Sequence, residues 1–183
     1  MKTALVVVDL QNDYFKGGNW ELVGTEQAAE NASKLLKYAR NNEMPIIHVR
    51  HEFPTDDAPF FKPNTKGAEI HSSVKNLDSE PVVLKHQINS FRETNLKELL
   101  DLNEVDSILI CGAMSHMCID GVTRAANDFG YKCTVAHDAC ATLDLEFNGV
   151  KVPAKQVHAA FMAALKFAYA DVLTTAEIIE LKN

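Results

Sequence analysis

The feature that most constrains the fold is an alternation of two patterns along the chain. Short apolar runs rich in β-branched residues, such as the ALVVV that Asp9 ends, are typical of fully buried parallel strands. Between them lie longer segments in which apolar residues recur at helical spacing. Such alternation predicts right-handed βαβ units. The fold class that we expect is α/β: a three-layer, doubly wound, Rossmann-like parallel sheet of six strands, with helices on both faces.

The pattern places six strands and five helices. Strands are expected at 3–9, 45–50, 81–85, 106–112, 132–137 and 172–173, and helices at 25–42, 94–101, 115–129, 153–168 and from 174 onward. Thr25 and Ser115 are interpreted as N-caps and Gly130 as a C-cap. Thr174 and Glu177 have the spacing of a capping box for the last helix.

Composition limits the class of protein. The 183 residues show no repeat, composition break or linker, so 1–183 is expected to be one domain. A net charge of -7 argues against nucleic-acid and membrane partners. The apolar run at 4–8 is too short for a signal peptide or a membrane span. The four cysteines form no CxxC pair, so we expect reduced thiols in a cytoplasmic protein.

Residues 51–80 are the least regular part of the chain and contain three prolines and one glycine. Irregular segments of this length are usually functional or mobile. We interpret this one as a lid over a pocket.

Polar side chains follow three of the predicted strands. Asp9 ends the first strand, Lys85 ends the third, and Cys118 lies in the segment after the fourth. Open parallel sheets bind ligands outside the carboxyl ends of their strands. The topology therefore brings a carboxylate, an ammonium and a thiol to one edge of the sheet.

Each of the three also has an ordinary structural explanation. Asp9 can be capped by backbone N–H groups, Lys85 can extend its ammonium into solvent, and Cys118 can be a small buried hydrophobe. In the first turn of a helix capped by Ser115, Cys118 would instead have a lowered thiol pKa, and a nearby lysine would lower that pKa further. The free N–H groups of such a turn can also bind an oxyanion.

Histidines suggest a metal site as an alternative. His48, His51 and His71 are candidate ligands, but no HxxxH or DxH spacing joins them to a carboxylate. The sequence favours the absence of a metal.

A papain-like site is another alternative. Cys118 could pair with His116, or with His137 and Asp138. His116 is two residues from the cysteine, and residues that close in a helix point to different faces. The pairing with His137 stays open.

Four segments match one known family, in order. The strongest is ICGAMSHMCI at 110–119, and the others are ALVVVDLQNDYF at 4–15, VVLK at 82–85 and HDACA at 137–141. The chain thus resembles the isochorismatase-like cysteine hydrolases, which include nicotinamidases and N-carbamoylsarcosine amidohydrolase. The resemblance covers nearly the whole chain.

The resemblance implies a catalytic triad of Asp9, Lys85 and Cys118. In that family the Asp takes the thiol proton, the Lys favours the thiolate, and the thiolate attacks an amide carbonyl to form a thioester that water hydrolyses. It also implies a cis peptide between Ala113 and Met114, which aims the Met114 N–H, with that of Cys118, at the oxyanion. A homo-oligomer, a dimer or a tetramer, is implied as well.

Two differences from other members of the family narrow the range of activities that we expect. Nicotinamidases carry an Asp-x-His metal cluster after the second strand, where this chain has HVRHEF at 48–53. We therefore expect no metal and no cofactor, and nicotinamide specificity is in doubt. Family members that are true isochorismatases lack the nucleophilic cysteine and cleave a vinyl ether, so Cys118 favours hydrolysis of a C–N bond.

The expected function is a cysteine hydrolase that cleaves a C–N bond of a small amide, lactam or ureido compound. Substrate contacts are expected from Tyr14, Trp20, Phe60 and Phe61, although core or lid packing explains these aromatic residues nearly as well. Two alternatives remain: a vinyl-ether hydrolase of the isochorismatase type, and a catalytically silent homologue that binds a small molecule.

Overall fold

A six-stranded parallel sheet forms the centre of the molecule. The computed structural model describes residues 2–55 and 57–181. The strands, in chain order, are β1 Thr3–Val8, β2 Ile46–His51, β3 Val82–Lys85, β4 Ser107–Ala113, β5 Lys132–Ala141, β6 Leu145–Phe147, β7 Val150–Val152 and β8 Asp171–Leu173. The sheet order is β3-β2-β1-β4-β5-β8, while β6 and β7 form a separate antiparallel hairpin.

Helices cover both faces of the sheet. They are α1 Thr25–Asn41, α2 Leu96–Leu102, α3 Asp120–Asp128, α4 Ala154–Ala168 and α5 Thr175–Glu180. Alternate side chains of β1 point to opposite faces. Leu5 and Val7 pack with α1 and α5, whereas Val6 and Val8 pack with α2, α3 and α4. The predicted three-layer architecture is confirmed.

Two predicted N-caps are wrong. Gly24, in the left-handed region at φ 77°, is the N-cap of α1, and Thr25 is the first, buried helical residue. Ser115 is not a cap either, because the cap position belongs to Met114, and the Ser115 hydroxyl lies 2.8 Å from His158 Nδ1. A π-helical turn, Ser115–Ile119, precedes α3 where one continuous helix was expected.

Other helix ends agree with the sequence. Gly130 has φ 92° directly after the C-cap of α3, and the backbone and side-chain contacts of the Thr174 and Glu177 capping box are both present. Two features were not predicted: β5 runs four residues beyond His137, and the β6–β7 hairpin follows it.

Segment 52–80, which joins β2 to β3, is packed onto the loop after β1. The Asp13 carboxylate accepts the Phe61 N–H at 2.7 Å, and Gln11 forms an isolated bridge with Ile70. Two short 3₁₀ turns, Lys66–Ala68 and Ser72–Val74, give the segment local order. Its action as a lid stays a prediction.

The five helices have between 6 and 17 residues, whereas a membrane-spanning helix needs about 20. Within residues 2–55 and 57–181, none combines the length and the apolar character that crossing a membrane requires.

Candidate active site

The sheet brings the three predicted catalytic side chains together. Lys85 Nζ lies 2.7 Å from Asp9 Oδ2 and 3.2 Å from Cys118 Sγ. All three residues are buried, with exposed fractions of 0%, 0% and 2%. The carboxylate, ammonium and thiol therefore form one cluster at the carboxyl edge.

A close approach between β1 and β4 shapes this edge. A Cβ on Gly112 would lie 1.9 Å from the Val8 carbonyl oxygen, so only glycine fits there. Asp9 follows Val8 with φ 52°, a left-handed conformation that Asp tolerates better than most residues. Across the same edge, the Ala113–Met114 peptide bond is cis. The backbone thus turns sharply on both strands where the side chains meet.

The turn that carries Cys118 is wound around one carbonyl group. The Met114 oxygen accepts the N–H of Met117 at 3.0 Å and that of Ile119 at 3.2 Å. Single π-helical turns at the ends of α-helices are often found at functional sites. This turn fixes the thiol at the start of α3.

The ammonium of Lys85 is surrounded by acceptors. Besides Asp9 and Cys118, His51 Nδ1 lies 2.9 Å and the Gln87 carbonyl 3.2 Å from Nζ. An ammonium has three N–H donors and no acceptor, so the two partners at 3.2 Å share the third donor. Burial lowers the pKa of Lys85, but the charge of Asp9 and the contact with Cys118 outweigh burial and raise it. Lys85 is therefore a charged, buried residue, and extension into solvent is excluded.

Asp9 is not held as a turn cap. Neither carboxylate oxygen accepts a hydrogen bond of good geometry from the described part of the chain, although both are buried. The ion pair with Lys85 stabilises the carboxylate instead. The carboxylate therefore faces the Lys85 ammonium rather than a set of backbone N–H groups.

The expectation of a lowered thiol pKa for Cys118 is wrong. Burial and the neighbouring charge of Asp9 raise the pKa of Cys118, and the opposing effect of Lys85 is smaller. Burial also raises the pKa of Cys133 to about 11 and of Cys140 to about 12, but within the described ranges these thiols donate to backbone carbonyls. Cys118 differs from the other thiols by its two charged neighbours, and it rests as a thiol beside a carboxylate.

His51 is a member of the cluster that the strand-end argument did not assign. It is the last residue of β2, the strand between β1 and β3, and it pairs in register with Lys85. Gln11 fixes its backbone, since the Gln11 side chain accepts the His51 N–H and donates to the His51 carbonyl, both at 2.7 Å. Its position at the end of β2 was visible in the sequence, but its contact with Lys85 depends on the strand order.

The neutral state of His51 follows from its surroundings. Burial, and then the charge of Lys85, lower the pKa of His51 to about 4. The ring is buried, and its Nε2 has no hydrogen-bond partner among residues 2–55 and 57–181. An unpaired buried polar group costs about 1–3 kcal/mol and calls for an explanation.

The donor set does not fit a metal ion. Within the described ranges, one group of metal-ligating atoms converges: Asp9, His51 and Cys118, within 4.8 Å of one another. Lys85 Nζ lies within 3.2 Å of an atom of each of the three, so the ammonium holds the place that a cation would need.

The other histidines have separate partners. His48 contacts Glu80 at 3.1 Å, and His71 stacks on Phe15 with ring centroids 3.6 Å apart. The predicted set of His48, His51 and His71 therefore does not converge on a metal site.

The papain-like arrangements are not formed. His116 Nδ1 lies 2.7 Å from the Thr142 hydroxyl, and Asp138 accepts the Thr175 N–H and hydroxyl at the start of α5. The imidazole beside the cluster is that of His51.

The four aromatic residues expected at the substrate site form one cluster. Tyr14 lies 4.5 Å from Phe61 and 5.6 Å from Phe60, and Trp20 stacks on Phe60 at 4.8 Å, measured between ring centroids. Burial, followed by the charges of Cys118 and Asp9, raises the pKa of Tyr14. The cluster thus runs from Trp20, which is 37% exposed, to a tyrosine beside the thiol.

An α/β enzyme with a polar catalytic edge is the class that this fold and site define. Residues 3–177 match the Isochorismatase domain, so the chain belongs to the isochorismatase family and is a hydrolase.

Similar proteins agree with this assignment. The isochorismatase family protein YddQ of Bacillus subtilis (strain 168) is 50% identical over 175 residues, which cover 96% of this chain and 97% of that protein. A crystal structure from Oleispira antarctica, of a protein assigned to the isochorismatase hydrolases, is 61% identical with a TM-score of 0.95, covering 98% of this chain and 96% of that one. Streptothricin hydrolase of Streptomyces noursei is 32% identical over 144 residues, 78% of this chain and 50% of that protein.

Proposed function

We propose that this chain is a cysteine amidohydrolase that cleaves a C–N bond of a small amide, lactam or ureido compound through a thioester. The observation that carries the proposal is the position of Lys85 Nζ, 2.7 Å from the Asp9 carboxylate and 3.2 Å from the Cys118 sulfur. A base and a cation are thereby held beside one thiol, which is the arrangement that nucleophilic catalysis by cysteine requires.

Acylation begins with proton transfer from Cys118 to Asp9. The sulfur attacks the carbonyl carbon, and the electrons of the C=O bond move to the oxygen. When this tetrahedral intermediate collapses, the C–N bond breaks and Asp9 gives its proton to the leaving nitrogen. The products of this half are ammonia or an amine and a thioester on Cys118.

Deacylation repeats the sequence with water. The Asp9 carboxylate takes a proton from water as the water oxygen attacks the thioester carbon. The C–S bond then breaks, the proton returns to sulfur, and a carboxylic or carbamic acid leaves. Every proton is accounted for by one carboxylate.

Lys85 and the turn after β4 have electrostatic roles in these steps. Lys85 stabilises the thiolate, which offsets part of the effect of burial on the pKa of Cys118. The backbone N–H groups of Met114 and Cys118 are assigned to the oxyanion. Losing one such donor typically costs about 10²–10³ in kcat.

The surroundings support a small, mostly uncharged substrate. The site as a whole is neutral, because Asp9 and Lys85 cancel and the pKa of His51 is lowered to about 4. Tyr14, Phe60 and Phe61 are buried, and Tyr14 and Phe61 lie near Cys118 and His51, which gives the site apolar surroundings. A relative that is named streptothricin hydrolase is consistent with hydrolytic chemistry on this scaffold.

Replacement of Cys118 tests the proposal directly. Wild-type protein should release ammonia or amine from members of a panel of amides, lactams and ureas, and Cys118→Ala should lower that rate by roughly 10⁴-fold or more, because no other group can form the thioester. Mass spectrometry of wild-type protein during turnover should detect the acyl adduct on Cys118.

A matched thiol provides the control. Cys133 is buried in β5 and donates to backbone carbonyls, so Cys133→Ala should keep the activity. Thermal unfolding of Cys118→Ala should stay close to that of wild type. Full activity in Cys118→Ala would refute the nucleophile, and no hydrolysis of any compound by wild type would favour a silent binding protein.

A further inference from the structure

The contact with Lys85 decides which nitrogen of His51 carries a proton. Lys85 Nζ lies 2.9 Å from His51 Nδ1, and an ammonium can only donate. Nδ1 is therefore the acceptor. Burial and the Lys85 charge keep the ring neutral by lowering its pKa to about 4. In a neutral imidazole the other nitrogen must hold the proton, so the Nε2–H group is the free donor.

This donor is shielded from solvent. His51 is 4% exposed, and its Nε2 lacks a hydrogen-bond partner in the described part of the chain. A nitrogen of the ring lies within 4.8 Å of both the Asp9 carboxylate and the Cys118 sulfur. The Phe53 ring, at a centroid distance of 4.7 Å, and the Phe61 ring, at 6.2 Å, limit its movement.

We infer that His51 is a substrate-recognition residue, whose Nε2–H donates a hydrogen bond to an acceptor oxygen of the substrate beside Cys118. This inference rests on the proposed function and extends it. It gives the buried Nε2–H a partner during turnover, and it explains why Gln11 holds the His51 backbone by two hydrogen bonds of 2.7 Å.

The strand order indicates which oxygen His51 binds. In the sheet, β1 lies between β2, which ends at His51, and β4, which leads to Met114. The proposed oxyanion donors and His51 are thus on opposite sides of Asp9. Two strand spacings amount to about 10 Å between the backbones, and side chains shorten that gap. The two backbone donors already use both lone pairs of the reactive carbonyl oxygen, so the oxygen at His51 is a second acceptor atom of the substrate.

The substrate class follows from the need for this second oxygen. It is a small amide with a second acceptor oxygen, uncharged and a few bonds from the reactive carbon. Diamides have this pattern, whereas simple ureas and simple alkyl amides lack the second oxygen. The tautomer also excludes His51 as the base that activates water, because Nε2 is already protonated and Nδ1 accepts from Lys85.

Nuclear magnetic resonance of ¹⁵N-histidine-labelled Cys118→Ala tests the inference without turnover. At pH 7 the His51 ring should show a protonated Nε2 and an unprotonated Nδ1. Succinamide, which has a second carbonyl, should shift the Nε2–H resonance in a saturable way. Valeramide, of similar size without the second carbonyl, should bind roughly tenfold more weakly, as expected for one lost hydrogen bond. The missing signal in Cys118→Ala/His51→Asn assigns the resonance.

Kinetics of the otherwise wild-type protein separate recognition from support of Lys85. His51→Asn keeps an oxygen acceptor for Lys85 but has no distal donor, so KM for succinamide should rise roughly tenfold while kcat changes little. His51→Phe removes both functions and should lower kcat as well. His71→Asn is the matched control, because His71 stacks on Phe15 away from the cluster, and it should change neither constant.

Three results would overturn the inference: a proton on Nδ1 of His51 at pH 7, an Nε2–H resonance that succinamide leaves in place, or a His51→Asn variant with unchanged KM. The proposed hydrolysis is judged separately, by ammonia release and by the adduct on Cys118. Succinamide bound at His51 of a protein that hydrolyses no amide would support recognition and refute hydrolysis.

Discussion

Strand β2 carries two buried histidines, and each lies beside a carboxylate–cation pair. His48 contacts Glu80, which is paired with Arg40, and His51 contacts Lys85, which is paired with Asp9. The two histidines are three residues apart and therefore lie on opposite faces of the strand. The same three chemical groups, a carboxylate, a cation and an imidazole, thus occur twice around one strand.

The two groups differ in how fully their hydrogen bonds are made. Glu80 accepts two hydrogen bonds from Arg40 at 2.8 Å, one from the Leu77 N–H at 2.9 Å, and contacts His48. Burial alone would raise the pKa of Glu80, but these bonds lower it to about 2. Among the residues that the structure describes, Asp9 in contrast accepts no well-formed hydrogen bond, and the His51 Nε2 has no partner. A complete network fixes the chain, whereas an incomplete one keeps groups available for a substrate.

Removal of the buried ammonium should have the largest effect. Lys85→Met leaves the Asp9 carboxylate buried without its partner and should lower the free energy of unfolding by about 3–5 kcal/mol at neutral pH. Lys85→Met/Asp9→Asn should recover most of that loss but no activity. Urea unfolding measures both variants.

A surface pair gives the matched control for this prediction. Lys97 forms an exposed i,i+4 pair with Asp101, so Lys97→Met should change stability by less than about 1 kcal/mol. Equal effects of Lys85→Met and Lys97→Met would contradict a buried ion pair at the active site.

Glu80→Gln tests the complete network. Because the folded pKa of Glu80 lies below its ordinary value of 4.5, the charged form stabilises the protein above that pH, and this stabilisation is lost as pH falls towards about 2. The variant should be about 1–3 kcal/mol less stable at pH 7 and should approach wild type in acid. Its activity at pH 7 should be retained. Chemical unfolding from pH 7 to 3 checks the trend, and a pH-independent difference would contradict it.

The smallest effect is expected at the outer end of the aromatic cluster. Trp20 is partly exposed and stacks on Phe60 alone among the described aromatic residues, so Trp20→Leu should change stability by about 0.5 kcal/mol or less. If the cluster lines the path to Cys118, KM should change severalfold while kcat is kept. Identical KM values across several substrates would assign Trp20 to packing.

Sequence patterns predicted the sheet because buried parallel strands are locally recognisable. The six runs of β-branched residues became the six strands, and the rule on strand ends brought Asp9, Lys85 and Cys118 together. No local pattern shows which strand lies beside which, and the partners of His51 depend on β2 lying between β1 and β3.

The wrong or missing predictions concern properties that depend on neighbouring residues in the fold rather than on a local sequence pattern. The raised pKa of Cys118 depends on burial and on Asp9, both of which come from distant parts of the chain. The N-cap at Ser115 was assigned one residue too late, because Met114 leads directly into a π turn that begins at Ser115. The β6–β7 hairpin has only three residues a strand, too few for an alternating pattern to be recognised.

Lys85, at the centre of the cluster, affects how the positive charge of the site depends on the supply of metal ions. Its positive charge is made with the polypeptide itself, so this charge does not depend on loading from a cellular ion pool. Chelators and trace-element starvation would leave this charge in place. The charge at this position also cannot be altered by exchanging one metal ion for another. Replacing it requires a mutation of Lys85.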